Sequence, residues 1–162
     1  MSSGSVCSYE DLDVWKLGMD LAELVYGATE RFPSTERFGL TSQARRAVAS
    51  IPANIAEGWG RGRTSAQSNF LRIARGSLYE LRTLTTLATR LHYLDANEAA
   101  PIHETAETLG RKLNAYLAAV EGAVVRESNA AYDCGFEKPC ADATDGSEQP
   151  MTNNEQPTTN NR

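Results

Sequence analysis

The chain has 162 residues, of which 41% are hydrophobic and 23% are charged, so it is long enough to form one domain with its own apolar core. Its net charge is -5. No stretch approaches the roughly 18 consecutive apolar residues of a transmembrane helix. The amino-terminal segment has neither the basic nor the apolar region of a signal peptide. We therefore expect a cytoplasmic protein without a membrane partner.

The charge is distributed unevenly along the chain. Residues 37–90 contain nine arginines, no lysine and two glutamates, whereas residues 1–36 contain seven acidic and two basic side chains. Because the guanidinium group is planar and carries several donors, arginine suits bidentate contacts with carboxylates and phosphates. The middle of the sequence is therefore the candidate interaction surface.

The first predicted helix runs from about Tyr9 to Phe32 and ends before Pro33, after a disordered segment predicted for residues 1–8. Its apolar residues recur at helical spacing, at Trp15, Met19, Ala22, Val25 and Tyr26. Acidic side chains fill its first turn, where the helix dipole favours negative charge.

The second predicted helix spans roughly Leu40 to Trp59. Its apolar stripe consists of Leu40, Ala44, Ala47, Val48, Ile51 and Ile55. Pro52 lies inside this stripe, removes one backbone donor and frees the carbonyl of Val48, so we expect a kink or a local break there.

A structural motif of four residues, Pro52, Asn54, Glu57 and Gly58, is expected around this proline. Asn54 and Glu57 lie one turn apart, and we expect them to form hydrogen bonds with the freed carbonyl and the helix end. A polar ligand site at the kink is the alternative interpretation.

Three glycines, at positions 58, 60 and 62, are expected to end the second helix in a loop that also contains Arg61 and Arg63. Backbone N–H groups of such a loop can bind an anion next to a helix start. The spacing of these glycines is not that of a P-loop. The interpretation we favour is a plain glycine-rich turn between two helices.

The third predicted helix runs from Thr64 or Ser65 to about Tyr93, and Gln67 has the capping-box spacing from Thr64. At 100° per residue, one broad face collects its apolar side chains: Phe70, Leu71, Ile73, Ala74, Leu78, Leu81, Leu84, Ala88 and Leu91. The opposite face carries the Arg stripe, defined as Arg72, Arg75, Tyr79, Arg82 and Arg90.

The fourth predicted helix begins near Asp95, a suitable cap, and ends near Val125. Beyond it the apolar pattern stops, and residues 127–162 are mostly polar and acidic. Such a segment buries too little apolar surface to offset its ordering entropy, which predicts a disordered tail. Four amphipathic helices joined by short links predict an all-α, up-down-up-down four-helix bundle over residues 9–126.

The sequence also resembles the four-helix-bundle family linked to the intervening sequences of bacterial 23S ribosomal RNA genes. The most specific segment is Ser50–Gly58, with the sequence SIPANIAEG. The other segments that carry the resemblance are 11–16, 32–33, 38–43, 45–47, 60–62 and 70–81.

This resemblance implies a helical bundle that assembles into a cyclic homo-oligomer. A related branch of the family, the accessory protein of diversity-generating retroelements, resembles a basic pentameric barrel that partners a reverse transcriptase and nucleic acid. By that analogy a homopentamer is expected. Our chain differs from the branch in being acidic overall, and the family supplies no catalytic residues.

The Arg stripe, together with Arg61 and Arg63, allows two interpretations. The arginines can follow a phosphate backbone, with Tyr79 stacking on a base. Alternatively, they pair with acids of a neighbouring helix or subunit, for which the first helix is well supplied, for instance at Glu23 and Glu30. We favour pairing, because runs of surface charge are usually paired or solvated.

Enzymatic activity, a metal and a cofactor are not expected. His92 and His103 are isolated from each other and from cysteines, and no nucleophile elbow or Ser/His/Asp set is present. Three functions are therefore considered: an oligomeric assembly or adaptor module, a protein that binds RNA or DNA directly, and a structural oligomer with no ligand. The expected partners are further copies of the chain, and RNA or a protein that handles nucleic acid.

Overall fold

The computed structural model describes residues 7–62 and 65–133, with side chains up to residue 126, and contains four α-helices and two single 3-10 turns. The turns are Tyr9–Asp11 and Ser34–Glu36, and the helices are α1, Asp13–Thr29; α2, Leu40–Gly60; α3, Ser65–Arg90; and α4, Ala96–Asp133. These residues contain no strand, so the all-α prediction is confirmed.

Several predicted boundaries differ from the observed ones. The structure places α4 through Asp133, eight residues beyond the predicted end near Val125. Residues 1–6 and 134–162 lie outside the described part of the chain, as do Arg63 and Thr64. Disorder was predicted for residues 1–8 and 127–162, and for residues 127–133 it is wrong, because they continue α4. For residues 1–6 and 134–162 it stays a prediction.

The chain enters α1 through a 3-10 turn and not through a longer helix. The Asp11 carboxylate accepts hydrogen bonds from the backbone N–H groups of Ser8 and Cys7, at 3.0 and 2.9 Å. These two donors hold the pKa of Asp11 below its usual value. Leu12 then adopts an extended conformation (φ -69°, ψ 124°), which separates the turn from α1 and shortens the predicted helix.

The α2 helix is continuous through Pro52, so the predicted break is not formed. The ring of Pro52 is buried against α1, where a Cβ atom added to Gly18 would lie 3.4 Å from the proline Cβ. A proline removes only one backbone donor from a helix. Here its ring also adds apolar contact area with α1, which favours the unbroken helix.

The turn between α3 and α4 is built from two helix caps. His92 has a positive φ of 59°, and the N–H groups of His92 and Tyr93 donate to the carbonyls of Thr89 and Ala88, as in a Schellman motif. This cap ends α3 at Arg90, three residues before the predicted end. Asp95 then accepts from the N–H of Glu98 at 2.8 Å, which confirms its predicted role as the cap of α4.

Each helix packs against its neighbours in sequence, and α4 also packs against α1. Within the described residues, the backbones of α1 and α3, and those of α2 and α4, do not come close to each other, so these two pairs lie diagonally across the core. The fully buried side chains come from all four helices: Leu21, Val48, Ile51, Ile55, Leu71, Leu81, Leu109 and Leu113.

Two residues of the predicted apolar face of α3 are exposed outside this core. Ile73 is 51% exposed and Leu91 is 45% exposed. No helix in the described part of the chain is both long enough and apolar enough to cross a membrane.

Candidate interaction surface

One part of the Arg stripe, Arg72 and Arg75, contacts α4. The Arg72 guanidinium contacts a Glu121 carboxylate oxygen at 2.6 Å, and Arg75 donates to the side-chain oxygen of Asn114 at 3.3 Å. Both partners belong to α4. Arg72 thus pairs with an acid of a neighbouring helix, as expected, but that helix is α4. Pairing within one chain with Glu23 of α1, or with Glu30 after it, is wrong for the described residues, because α1 and α3 are diagonal.

The other part of the Arg stripe borders an open groove on the outside of α3. Tyr79, Arg82 and Arg90 line this groove, and Tyr79 is 51% exposed. The hydroxyls of Thr83 and Thr86 also lie there, but they donate to the carbonyls of Tyr79 and Arg82 in their own helix. The two guanidinium groups and the phenol are thus the main groups available to a partner.

Arg61 lies at the other end of α3, beside the turn from α2. Its guanidinium contacts a Glu57 carboxylate oxygen at 2.9 Å and lies 5.4 Å from the centre of the Phe70 ring. Glu57 therefore pairs with an arginine side chain. The expected hydrogen bond from its side chain to the helix end is not found within residues 7–62 and 65–126. Arg63 lies outside the described residues.

The predicted glycine loop is largely helical. Gly58 and Gly60 belong to α2, and only Gly62 takes a positive φ, of 72°. Gly58 is instead a point of close approach, where an added Cβ would lie 3.1 Å from Cβ of Phe70 and 3.3 Å from the carbonyl oxygen of Gln67. A nest of backbone donors running from Gly58 is therefore not formed in α2.

Asn54 joins a small polar network between α2 and α3. Its side-chain nitrogen donates to the carbonyl oxygen of Ser50 at 2.7 Å and to the Ser50 hydroxyl at 2.9 Å. The Ser50 and Ser77 hydroxyls are 2.9 Å apart. The expected bond to the carbonyl of Val48 was wrong, and the contribution of Ser77 had not been anticipated. The position of Ser77 beside the apolar stripe of α3 could have indicated that its hydroxyl lies at a contact with another helix.

Gln67 is a second polar residue whose position was not anticipated. It is 1% exposed, and its side-chain nitrogen donates to the Tyr116 hydroxyl at 2.9 Å. Its side-chain oxygen is buried and has no hydrogen-bond partner among the described residues. Gln67 thus connects α3 with α4 inside the protein, whereas Thr64, its expected partner in a capping box, lies outside the described residues.

The family model of the 23S rRNA-intervening sequence protein matches residues 10–115. The chain belongs to this family. In a comparison with curated proteins, none matched the chain.

The part shared with the 23S rRNA-intervening sequence family includes most of the candidate surface. The whole Arg stripe and Asn114 fall inside residues 10–115, whereas Glu121, the partner of Arg72, lies beyond them. The described residues contain no group of three or more His, Cys, Asp or Glu side chains that could hold a metal ion.

The side of the protein opposite α3 is acidic. The exposed face of α1 carries Asp20 and Glu23, and neither has an ion-pair partner in the described part of the chain. At the two ends of this helix, Asp13 contacts Lys112 of α4 at 2.6 Å, and Arg31 pairs with Glu98 of α4. Ion pairs therefore join α1 and α4 at both ends of their contact, and Asp20 and Glu23 remain exposed between them.

Proposed function

We propose that the chain is a non-enzymatic, cytoplasmic assembly or adaptor module that forms a homo-oligomer and presents the Arg-lined surface of α3 to a partner. The observation that supports this proposal best is the division of the Arg stripe. Arg72 and Arg75 are engaged with α4, whereas Arg82 and Arg90 are exposed beside Tyr79. The free half is a compact surface suited to carboxylates of a protein partner.

The architecture we propose is an up-down-up-down bundle in a cyclic oligomer. Contacts between successive helices, closed by the contact of α4 with α1, and the short connections between helices agree with that topology. The exposure of Ile73 and Leu91 supports association, since apolar side chains left uncovered on a helix face often mark an interface. Five subunits are proposed by family analogy, without a cofactor.

Direct binding of RNA or DNA is the second candidate function, favoured by one observation. Tyr79 is exposed between arginines, and a tyrosine in a basic groove can stack on a base. Two free arginines neutralise few phosphates, however, and a net charge of -5 opposes the approach of a polyanion. An oligomer with no ligand is the third candidate.

Light scattering and filter binding on the same samples test the proposal. We expect a mass several times 17.6 kDa at micromolar concentration and negligible retention of RNA or DNA at physiological salt. A mass of one chain would contradict the assembly proposal. Tight, salt-sensitive retention, lost in an Arg82→Glu/Arg90→Glu variant that keeps its oligomer mass, would favour direct nucleic-acid binding instead.

A further inference from the structure

The exposed apolar side chains are concentrated on two diagonal helices. Among the described side chains, α1 carries Met19, Leu24 and Tyr26, and α3 with its first following residue carries Ile73, Tyr79, Leu87 and Leu91. Where side chains are described, α2 has no large exposed apolar residue and α4 has only Val125, while Phe38, which is 88% exposed, lies just before α2. Because α1 and α3 are diagonal in the bundle, without close approach of their backbones in the described residues, these two outward apolar faces lie on opposite sides of the core.

The two faces also carry opposite charge. Asp20 and Glu23 are exposed on α1, and Arg82 and Arg90 are exposed on α3. None of these four side chains forms an ion pair within the part of the chain that the structure describes. Their charges are therefore available for pairing outside the molecule.

We propose that the α3 face of one copy docks on the α1 face of the next copy, so that the protein assembles head to tail through two different surfaces. This inference rests on the proposed homo-oligomer and assigns the surfaces that would hold it together. A second copy is the occupant because one chain carries both complementary halves. Contact of α3 with α3, or of α1 with α1, would bring like charges together and is disfavoured.

The two kinds of side chain have different roles in this interface. Burial of the apolar residues supplies most of the association free energy, since the hydrophobic contribution scales with buried area. The charges select which face meets which. Each face also carries an exposed side chain of the other sign, Lys16 on α1 and Glu80 on α3. These two charges are opposite to each other, so they are compatible with contact between the α1 and α3 faces. Contacts between two different surfaces generate a ring when the rotation closes and a filament when it does not.

Charge reversal in the full chain tests the assignment by light scattering. We expect Arg82→Glu/Arg90→Glu and Asp20→Lys/Glu23→Lys each to lower the mass toward 17.6 kDa. A 1:1 mixture of the two variants should regain a multimeric mass, because each reversed face then finds a complementary one. The chain with all four substitutions should also assemble alone.

The control is Arg46→Glu/Arg111→Glu, which produces the same change of net charge as the α3 reversal, at exposed positions on α2 and α4. It should keep the wild-type mass. Should a charge-reversed variant fail to fold by circular dichroism, the milder Arg82→Gln/Arg90→Gln and Asp20→Asn/Glu23→Gln variants should still weaken assembly, with a mass more sensitive to dilution.

The possible outcomes separate this inference from the proposal on which it rests. A multimeric wild type whose mass is unaffected by either reversal would overturn the assigned faces and leave the homo-oligomer standing. Dissociation by the α3 reversal alone, with the α1 reversal silent, would also overturn the head-to-tail contact, because it would point to pairing of α3 with itself. A wild type of 17.6 kDa would remove the homo-oligomer and this inference together.

Discussion

The two sides of α3 are held in contrasting ways. Toward α2, the helix packs through small residues, with Gly58 against Phe70 and the Ser50 hydroxyl against that of Ser77. Toward α4, the outer edge of the contact is an exposed ion pair, between Arg72 and Glu121. Close packing is intolerant of added atoms, whereas exposed ion pairs contribute little and are screened by salt. Substitutions in the close contact with α2 should therefore destabilise the fold much more than substitutions in the exposed ion pair with α4.

The largest effect is expected at Gly58. Gly58→Ala places a methyl group 3.1 Å from Cβ of Phe70 and 3.3 Å from the carbonyl oxygen of Gln67. We expect it to lower the free energy of unfolding by about 1–3 kcal/mol, as overpacking of a tight contact does. Urea denaturation measures this. The matched control is Gly60→Ala, two residues on, where an added Cβ meets nothing within 4 Å.

In that control, the gain in helix propensity should leave the stability unchanged or raise it by up to about 1 kcal/mol. Equal destabilisation by the two substitutions would show that α2 and α3 are not closely packed at Gly58.

A smaller effect is expected for the hydroxyl pair between α2 and α3. Ser77→Ala removes the contact with the Ser50 hydroxyl, which lies at 2.9 Å and is partly buried. A hydrogen bond of this kind contributes about 1 kcal/mol net. A double-mutant cycle with Ser50→Ala, measured by chemical denaturation, should give a positive coupling energy. Additive effects of the two substitutions would indicate that the hydroxyls do not stabilise this side of α3.

On the α4 side, the Arg72–Glu121 pair should contribute less than about 1 kcal/mol, because both side chains are well exposed (53% and 39%). The cycle formed by Arg72→Ala and Glu121→Ala should show a coupling energy that decreases as salt is added. A coupling larger than that of the serine pair, and unaffected by salt, would reverse the ranking of the two sides.

The smallest effect concerns the ion pair between α1 and α4. The hydrogen bond and charge of Lys112 hold the pKa of Asp13 below its ordinary value of 3.8. The Asp13 carboxylate therefore stabilises the fold at pH values above 3.8, and this contribution is lost as the pH falls through the lower, native pKa. We expect Asp13→Asn to destabilise the protein slightly at pH 7.

Thermal unfolding of the wild type and the Asp13→Asn variant at pH 7 and at about pH 2 measures this effect. The two midpoints should converge at the acidic pH. A difference that persists or grows there would show that Lys112 does not lower the pKa of this carboxyl.

Periodicity was sufficient to predict four helices and most of the core. An apolar stripe such as that of α2 is buried on one side only if the segment is helical and the stripe faces the core. The starts and ends were predicted less well. The extended Leu12 and the left-handed His92 set two of them, and neither conformation follows from a periodic pattern. The exposure of Ile73 shows that an apolar stripe can be wider than the contact it makes.

The partners within the candidate surface could not be predicted, because they depend on which helices are adjacent in space. The sequence offers many acidic residues as partners for Arg72. Glu121 is the partner because α4 lies next to α3 in the bundle. Asn54 similarly bonds Ser50, one turn earlier, because the chain remains helical there. What the pattern did identify was the set of arginines on one flank of α3.

The placement of α1 and α3 on opposite sides of the core has an electrical consequence. With acids exposed on one side and arginines on the other, the charges of α1 and α3 contribute a dipole moment directed across the bundle. Its sequence isoelectric point of about 5.1 describes only the total charge. An approaching ion or a charged matrix responds to the nearer side. A dissociated copy should therefore be retained at low salt by cation exchangers as well as by anion exchangers at neutral pH, with α3 facing the former and α1 the latter.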